Sequence, residues 1–147
     1  MKIAYVFDAV YPYITGGVEK RIWELSRRLA ARGHEVHVYG MKYWTGDDAI
    51  VREGVTYHGV CKPPALYNSS GRRSIRQVLY YTILLPFSLF RERHDIIDCQ
   101  ASPYFPAIVC KKISILRGTP LILTWHEVWG GYWRQYLGTL WMFLRNR

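Results

Sequence analysis

The spacing of apolar residues changes twice within the first forty positions. A short, continuous apolar run predicts a buried strand over Lys2–Asp8. From Gly17 the apolar residues recur every three or four positions, which predicts an amphipathic helix that Gly33 ends; the stripe consists of Val18, Ile22, Leu25 and Leu29. A second strand follows at His34–Tyr39. This order forms a βαβ unit with a right-handed crossover, so the sequence predicts an α/β fold.

The middle of the chain has a weaker pattern. Residues 54–60 predict a third strand, which follows a polar turn at residues 45–48. Two prolines at 63–64 and a polar run at 68–71 indicate a flexible connection. The apolar segment 74–93 predicts a helix that Pro86 should kink or split, because proline lacks the backbone N–H of the helical ladder.

The α/β alternation returns in the last third of the chain. It predicts a strand at residues 95–99, a helix from Pro103 to residue 116, and a strand at residues 121–124. A last helical pattern covers residues 132–147 and has no stop signal. We therefore expect residues 1–147 to be one domain whose sequence is cut within an element.

Composition narrows the class of protein. A chain of 147 residues, half of them apolar and 21% charged, is typical of one globular domain and not of a disordered segment. Its three cysteines, Cys61, Cys99 and Cys110, form no C-x-x-C pair. A reduced, cytoplasmic compartment is the simplest interpretation, with Cys99 and Cys110 buried. No secretory signal is apparent, and the longest apolar run, residues 78–90, is too short to span a bilayer.

The charge balance indicates an anionic partner. The net charge is +9, and 16% of the residues are aromatic. Such a surface suits an anionic membrane face, a phosphate-bearing ligand or a nucleic acid, or it is simply solvated. No nucleic-acid-binding motif is present, so we expect no nucleic acid. The helix around residues 80–90 could rest on an anionic bilayer or be an ordinary core helix; its flanking arginines are Arg72, Arg73, Arg76, Arg91 and Arg93.

Three predicted strand ends should meet at one edge of the sheet, and they carry polar groups. They are residues 11–17, 100–104 and 125–131, which include Ser102 and Tyr104. Gly16 and Gly17 open directly onto a helix, whose unpaired N–H groups favour a phosphate. The edge is therefore a candidate pocket for a phosphorylated or sugar-like ligand.

Each residue at the glycine turn also has a plainer interpretation. The two glycines suit a tight turn that needs positive φ or close packing. Glu19 could simply favour the helix dipole, and Lys20 could be a surface charge.

His126 is the strongest side-chain candidate for a site residue. It follows a strand and precedes Glu127, which could orient or charge it, although a lone histidine there is more often structural. His34 and His37 differ by an odd number on a strand and should point to opposite faces. No His, Cys and carboxylate set has the spacing of a metal site, and the aspartates at 47–48, 95 and 98 have no evident partners.

Several common catalytic motifs do not occur. The chain contains no G-x-S-x-G elbow and no phosphate-binding P-loop. The G-x-G-x-x-G fingerprint is also missing, which argues against a dehydrogenase.

The combined order of segments resembles the N-terminal domain of the retaining GT-B glycosyltransferases of family 4. Any one of these segments alone would be unspecific. The similar segments are residues 2–7, Pro12 with residues 16–19, residues 25–38, residues 95–98 and residues 124–127.

The resemblance implies a Rossmann-like, doubly wound and mostly parallel sheet. It implies metal-independent transfer from a nucleotide-sugar, with retention at the anomeric carbon and no cofactor, to a lipid-linked or glycan acceptor. In such domains the loop at Gly16 and Gly17 lies near the donor diphosphate and the acceptor, and a histidine at the position of His126 contacts the donor sugar. The N-terminal domain mainly supplies the acceptor site.

The chain departs from the family pattern in two ways. A histidine often follows Asp95-Ile-Ile in the family, whereas this chain has Asp98-Cys99-Gln100. The C-terminal, donor-binding domain of the family is not in this sequence. We therefore expect this chain alone to be inactive and to work with that domain in cis or in trans. The alternatives are a subunit of a split transferase and a non-catalytic, membrane-associated module on the cytoplasmic face.

Overall fold

A computed structural model describes residues 1–64, 75–102 and 104–126 of the chain. These ranges contain six strands and three helices. In chain order they are β1 (Lys2–Val6), α1 (Gly17–Ala31), β2 (Glu35–Gly40), β3 (Ala49–Arg52), β4 (Val55–Gly59), α2 (Ile75–Leu89), β5 (Ile96–Gln100), α3 (Tyr104–Arg117) and β6 (Leu121–Thr124). The predicted helical pattern at residues 132–147 and the polar connection at 68–71 lie outside the described residues.

The six strands form one sheet in the order β3-β4-β2-β1-β5-β6. All neighbouring pairs are parallel except β3 and β4. Strand β1 lies between β2 and β5, with Val6 paired to Tyr39 on one side and to Cys99 on the other. This arrangement confirms the predicted α/β fold with a mostly parallel, doubly wound sheet.

Helices cover both faces of the sheet and separate two apolar cores. One core joins the sheet to α1; its central members include Val36, Val38 and Ile22. The other joins the opposite face to α2 and α3, with Tyr39, Leu85 and Ile113. Alternate residues of β2 enter different cores because successive side chains of a strand point to opposite faces. Cys99 and Cys110 are buried in the second core, as predicted.

Two details of the sequence prediction are wrong. The polar turn at residues 45–48 is followed by strand β3, which was not predicted. This strand has only four residues on the sheet's edge and is mostly exposed, so it lacks an apolar pattern. The helix predicted over residues 74–93 ends at Leu89 instead of residue 93, and Pro86 lies inside it without splitting it. Within the described ranges, no helix has both the length and the apolar character to cross a bilayer.

Candidate functional site

The carboxyl ends of β1, β5 and β6 lie side by side, as the sequence predicted. The three strands are adjacent and parallel, so the segments that follow them leave at the same edge of the sheet. The chain goes from β1 to β2 on one side and returns to β5 on the other. Such a change of direction opens a crevice between the loops after the two central strands, where ligands of open α/β sheets usually bind.

The loop after β1 is buried where it begins and leads to the amino end of α1, which has free space beside it. Gly40 packs so closely against this loop that a Cβ on it would lie 2.3 Å from Val10 Cγ2. Gly16 is the N-cap of α1 and has extended backbone, with no side-chain cap. A Cβ on Gly17 would meet no atom within 4 Å. Gly17 is therefore not required by a left-handed turn or by tight packing. Its missing side chain leaves free space beside the amino end of the helix.

Glu19 and Lys20 lie in the first turn of α1. A Cβ on Gly16 would lie 2.4 Å from Glu19 Oε2, so this carboxylate sits at the helix start, where the helix dipole favours a negative charge. Lys20 is exposed. This position agrees with the plainer interpretation of Glu19, and the exposed Lys20 is accessible to a ligand.

A hydrogen-bonded network anchors His126. Asp98 Oδ1 accepts hydrogen bonds from Gln100 Nε2 (3.0 Å) and Thr124 Oγ1 (2.8 Å). The amide oxygen of Gln100 then lies 2.6 Å from His126 Nε2. Because the amide nitrogen faces Asp98, its oxygen must accept from His126, so Nε2 carries the proton. The imidazole is thereby held at the crevice, with Nε2 donating to Gln100 and Nδ1 left for another partner.

The other predicted residues on this edge are exposed. Ser102 and Tyr104 lie at the surface after β5, and the Tyr104 ring has its centroid 5.6 Å from that of Trp125. Glu127 lies outside the described residues, so the predicted pairing with His126 stays a prediction. The described partner of His126 is Gln100.

Sequence reasoning missed the network that holds His126. The sequence indicates no partner for Asp98, but its carboxylate accepts hydrogen bonds from two side chains. Asp48 and Asp95 also have partners: Lys42 Nζ lies 2.7 Å from Asp48 Oδ1, and the backbone N–H of Lys2 donates to Asp95 Oδ2 (2.7 Å). Asp98 and Gln100 are two apart on a strand and share a face, which is the signal that could have suggested their contact.

Two aromatic-lined cavities flank the loop after β1. One of about 390 Å³ is lined by Tyr13, Tyr43 and Trp44 among others, and one of about 550 Å³ by Tyr11 and Trp23 among others. Cavities of this size accept a sugar-sized or larger ligand. No sequence pattern identified them, because their walls come from the β1 loop, α1 and the β2–β4 region.

The structure brings together three metal-ligating side chains that the sequence spacing did not group. His37 is distant in sequence from Glu92 and His94, yet one ligand atom of each of the three lies within 4.8 Å of the others. His37 Nδ1 lies 2.8 Å from His58 Nε2. Burial lowers the pKa of His58 and that of His94 to about 4, which keeps both rings neutral at neutral pH. Sequence spacing could not reveal the full cluster because β2 supplies His37, whereas the α2–β5 connection supplies Glu92 and His94.

Comparisons with known proteins agree with this architecture. A family model described as Glycosyltransferase Family 4 matches residues 15–147. Among solved structures, the crystal structure of the glycotransferase of kitacinnamycin aligns with 99% of this chain at a TM-score of 0.54 and 16% identity. The chain spans 35% of the length of that protein. No curated protein sequence matches the chain. At this identity the structural likeness shows the fold alone.

Proposed function

The chain belongs to glycosyltransferase family 4, and on this basis we propose that it is the acceptor-side, N-terminal domain of a retaining transferase. The proposed reaction moves a hexose from a nucleotide-sugar to a lipid-linked or glycan acceptor. One observation carries the proposal: adjacent strands bring the open helix start at Gly17 and the anchored His126 to the same edge of the sheet.

The geometry supports a distinct role for each group. The N–H groups at the start of α1 and the Lys20 ammonium would stabilise the diphosphate of the donor, without a metal ion. His126 would contact the donor sugar, because Gln100 holds its ring at the crevice. Ser102 and Tyr104, exposed after β5, could bind donor or acceptor hydroxyls. The aromatic-lined cavities beside the β1 loop would bind the acceptor substrate, since aromatic faces pack well on sugar C–H groups and on lipid chains.

The proposed enzyme needs a second domain. The chain is about a third as long as the structurally similar glycotransferase, and we assign no nucleophile to the described residues of its edge. We therefore propose a donor-binding domain, in cis or in trans, that closes over the crevice. Closure would exclude water from the reacting sugar.

The test compares variants in the transferase assembled with its second domain. Gly17→Ala places a methyl group in the free space at the helix start, and His126→Ala removes the imidazole. We expect Gly17→Ala to raise KM for the nucleotide-sugar at unchanged or higher Tm, because alanine is the better helix former. His126→Ala should lower kcat by about 100-fold, as expected when a positioning contact is lost.

A matched pair of charge variants controls for general effects. Lys20→Ala and Arg28→Ala remove the same charge from α1 at exposed positions about 12 Å apart along the helix. Only Lys20→Ala should raise KM for the donor. Nucleotide release measures the rate, and NMR of the product's anomeric proton measures retention. Unchanged kinetics for both Gly17→Ala and His126→Ala would refute the assignment, and an inverted product would refute the retaining mechanism.

An exposed apolar surface favours a second candidate function, the recruitment of a partner to a membrane. Helices α2 and α3 pack together on one face of the sheet, and each leaves an apolar stripe exposed; Ile83 is 66% and Phe87 69% exposed. Other exposed members are Leu79, Tyr80, Phe90, Ile108, Ile115 and Leu116, and exposed cations beside them are Arg76, Arg91, Arg93, Lys111 and Lys112. Apolar side chains among cations suit the anionic cytoplasmic leaflet.

Vesicle binding tests this surface and separates the two functions. Phe87→Ser should weaken sedimentation with vesicles that contain phosphatidylserine. Val51→Ser is the matched control, because Val51 is 70% exposed on a different part of the molecule. Equal effects of the two variants would refute the membrane surface. Vesicle binding without sugar transfer in the assembled protein would favour the non-catalytic module.

A further inference from the structure

A cluster of titratable side chains lies away from the candidate functional site, towards the amino ends of β1, β2 and β5. His37 in β2 is 4% exposed, and His94, just before β5, is 7% exposed. Glu92, partly buried in the turn after α2, contributes a carboxylate within 4.8 Å of a ligand nitrogen of each. Two imidazoles and a carboxylate are therefore directed at one point between the sheet and the α2–β5 connection.

The ammonium group of a lysine partly neutralises the negative charge of the carboxylates around this point. Lys2 Nζ contacts the carboxylates of both Glu35 and Glu92, at 2.8 Å from Glu35 Oε1. His37 Nε2 lies 3.0 Å from Glu35 Oε1 and 3.7 Å from Glu92 Oε2. The point where the ligand atoms converge thus attracts a cation. Lys2 can leave it, because its side chain is 25% exposed and flexible.

Both imidazoles are also oriented by partners behind them. His37 Nδ1 contacts His58 Nε2 at 2.8 Å, and His94 Nε2 lies 3.1 Å from the hydroxyl of the buried Tyr39. Metal-binding histidines characteristically have such a partner on one ring nitrogen, which fixes the tautomer and the plane of the ring.

We propose that His37, His94 and Glu92 form a structural site for a divalent cation that prefers imidazole, of which Zn²⁺ is the best match. Two nitrogens and one carboxylate oxygen form a ligand set that Zn²⁺ accepts, and Glu35 is placed to supply the fourth ligand. In a tetrahedral zinc site neighbouring ligand atoms are about 3.4 Å apart. The separation of 3.7 Å between His37 Nε2 and Glu92 Oε2 is already close to that value.

A bound ion would also have a structural consequence. A cavity of about 50 Å³ lies beside the ligand set: it borders Glu92 and His58, with Arg91 and Asp48 also in its wall, and neither His37 nor His94 lines it. Bound metal would join β2 to the connection between α2 and β5, and it would displace Lys2 to solvent. The site is independent of the proposed transferase reaction.

Metal titration of the purified protein, first stripped with a chelator, tests the proposal. We expect one Zn²⁺ per chain, an increase in Tm with added Zn²⁺, and intense visible absorption bands of tetrahedral Co²⁺ when Co²⁺ is used as the probe. His94→Gln and Glu92→Gln should abolish all three signals. His34→Gln should retain them, because His34 lies outside the cluster.

Two variants separate a metal site from a purely structural cluster. Lys2→Met should tighten Zn²⁺ binding by about tenfold or more, because it removes the competing cation. His58→Gln should weaken it by about 10- to 100-fold, as expected for a partner that only orients a ligand. Zn²⁺ binding that is unaffected by Glu92→Gln and Lys2→Met, or the lack of any saturable binding to the parent protein, would overturn the proposal. Lys2 and Glu92 are partly exposed, so the Lys2→Met and Glu92→Gln variants should fold.

Discussion

Replacing Gln100 by methionine removes the residue that joins Asp98 to His126. Gln100 is 1% exposed, and methionine has a similar length and shape, so the change leaves no large cavity. It removes the donor at 3.0 Å from Asp98 Oδ1 and the acceptor at 2.6 Å from His126 Nε2. The effect therefore comes from lost hydrogen bonds and not from lost packing.

The expected loss of stability follows from the burial of the two partners. Asp98 is buried, and a hydrogen bond to a charged group is worth about 1.5–3 kcal/mol. Thr124 Oγ1 still donates to the same oxygen, which puts the expected cost near about 2 kcal/mol. The bond to the exposed His126 adds little. For a domain of this size about 2 kcal/mol corresponds to a decrease in Tm of roughly 4–8 °C.

Denaturant and thermal unfolding of three single variants and one double variant measure this directly. Gln100→Met should lower the free energy of unfolding, whereas His126→Ala should change it by less than about 0.5 kcal/mol. Combining Gln100→Met with Thr124→Val should cost more than the sum of the two, because Asp98 Oδ1 then loses both donors. A Gln100→Met protein within about 0.5 kcal/mol of the parent, or strict additivity in the double variant, would refute the network.

Three further outcomes follow from the packing of the domain. Gly40→Ala should destabilise by about 1–3 kcal/mol, since its Cβ would lie 2.3 Å from Val10 Cγ2; an unchanged urea midpoint would contradict this close approach. Leu85→Ala should lower the free energy of unfolding by about 2–5 kcal/mol, because Leu85 is fully buried. A loss of less than about 1 kcal/mol in calorimetry would mean that the core is packed more loosely than described. Burial raises the pKa of Cys61 to about 11, so the native thiol is about 0.1% thiolate at pH 8. Its iodoacetamide labelling should be slow and should rise about tenfold per pH unit until that pKa; rapid labelling at pH 8 would contradict its burial.

The helices and central strands could be read from local pattern because each has an apolar face of sufficient length. The stripe of α1 and the short apolar runs of β1 and β5 are examples. Strand β3 could not be read in this way, since its register is set by pairing to β4 and not by burial. Which side of α2 is buried could not be read from its sequence, because only the packing against the sheet separates the buried side from the exposed apolar stripe. The contact of this stripe with a bilayer stays a prediction.

The amino-acid sequence was sufficient to predict the α/β class, the adjacency of the three strand ends and the position of His126 after one of them. These features follow from hydrophobic periodicity, the handedness of βαβ crossovers and the direction of parallel strands, all of which are local or general properties. The contacts between polar side chains of different segments required the tertiary structure. Gln100 reaches His126, and Glu92 meets His37, because folding brings distant segments together. Side-chain contacts over such sequence separations depend on the whole packing arrangement, which no local pattern encodes.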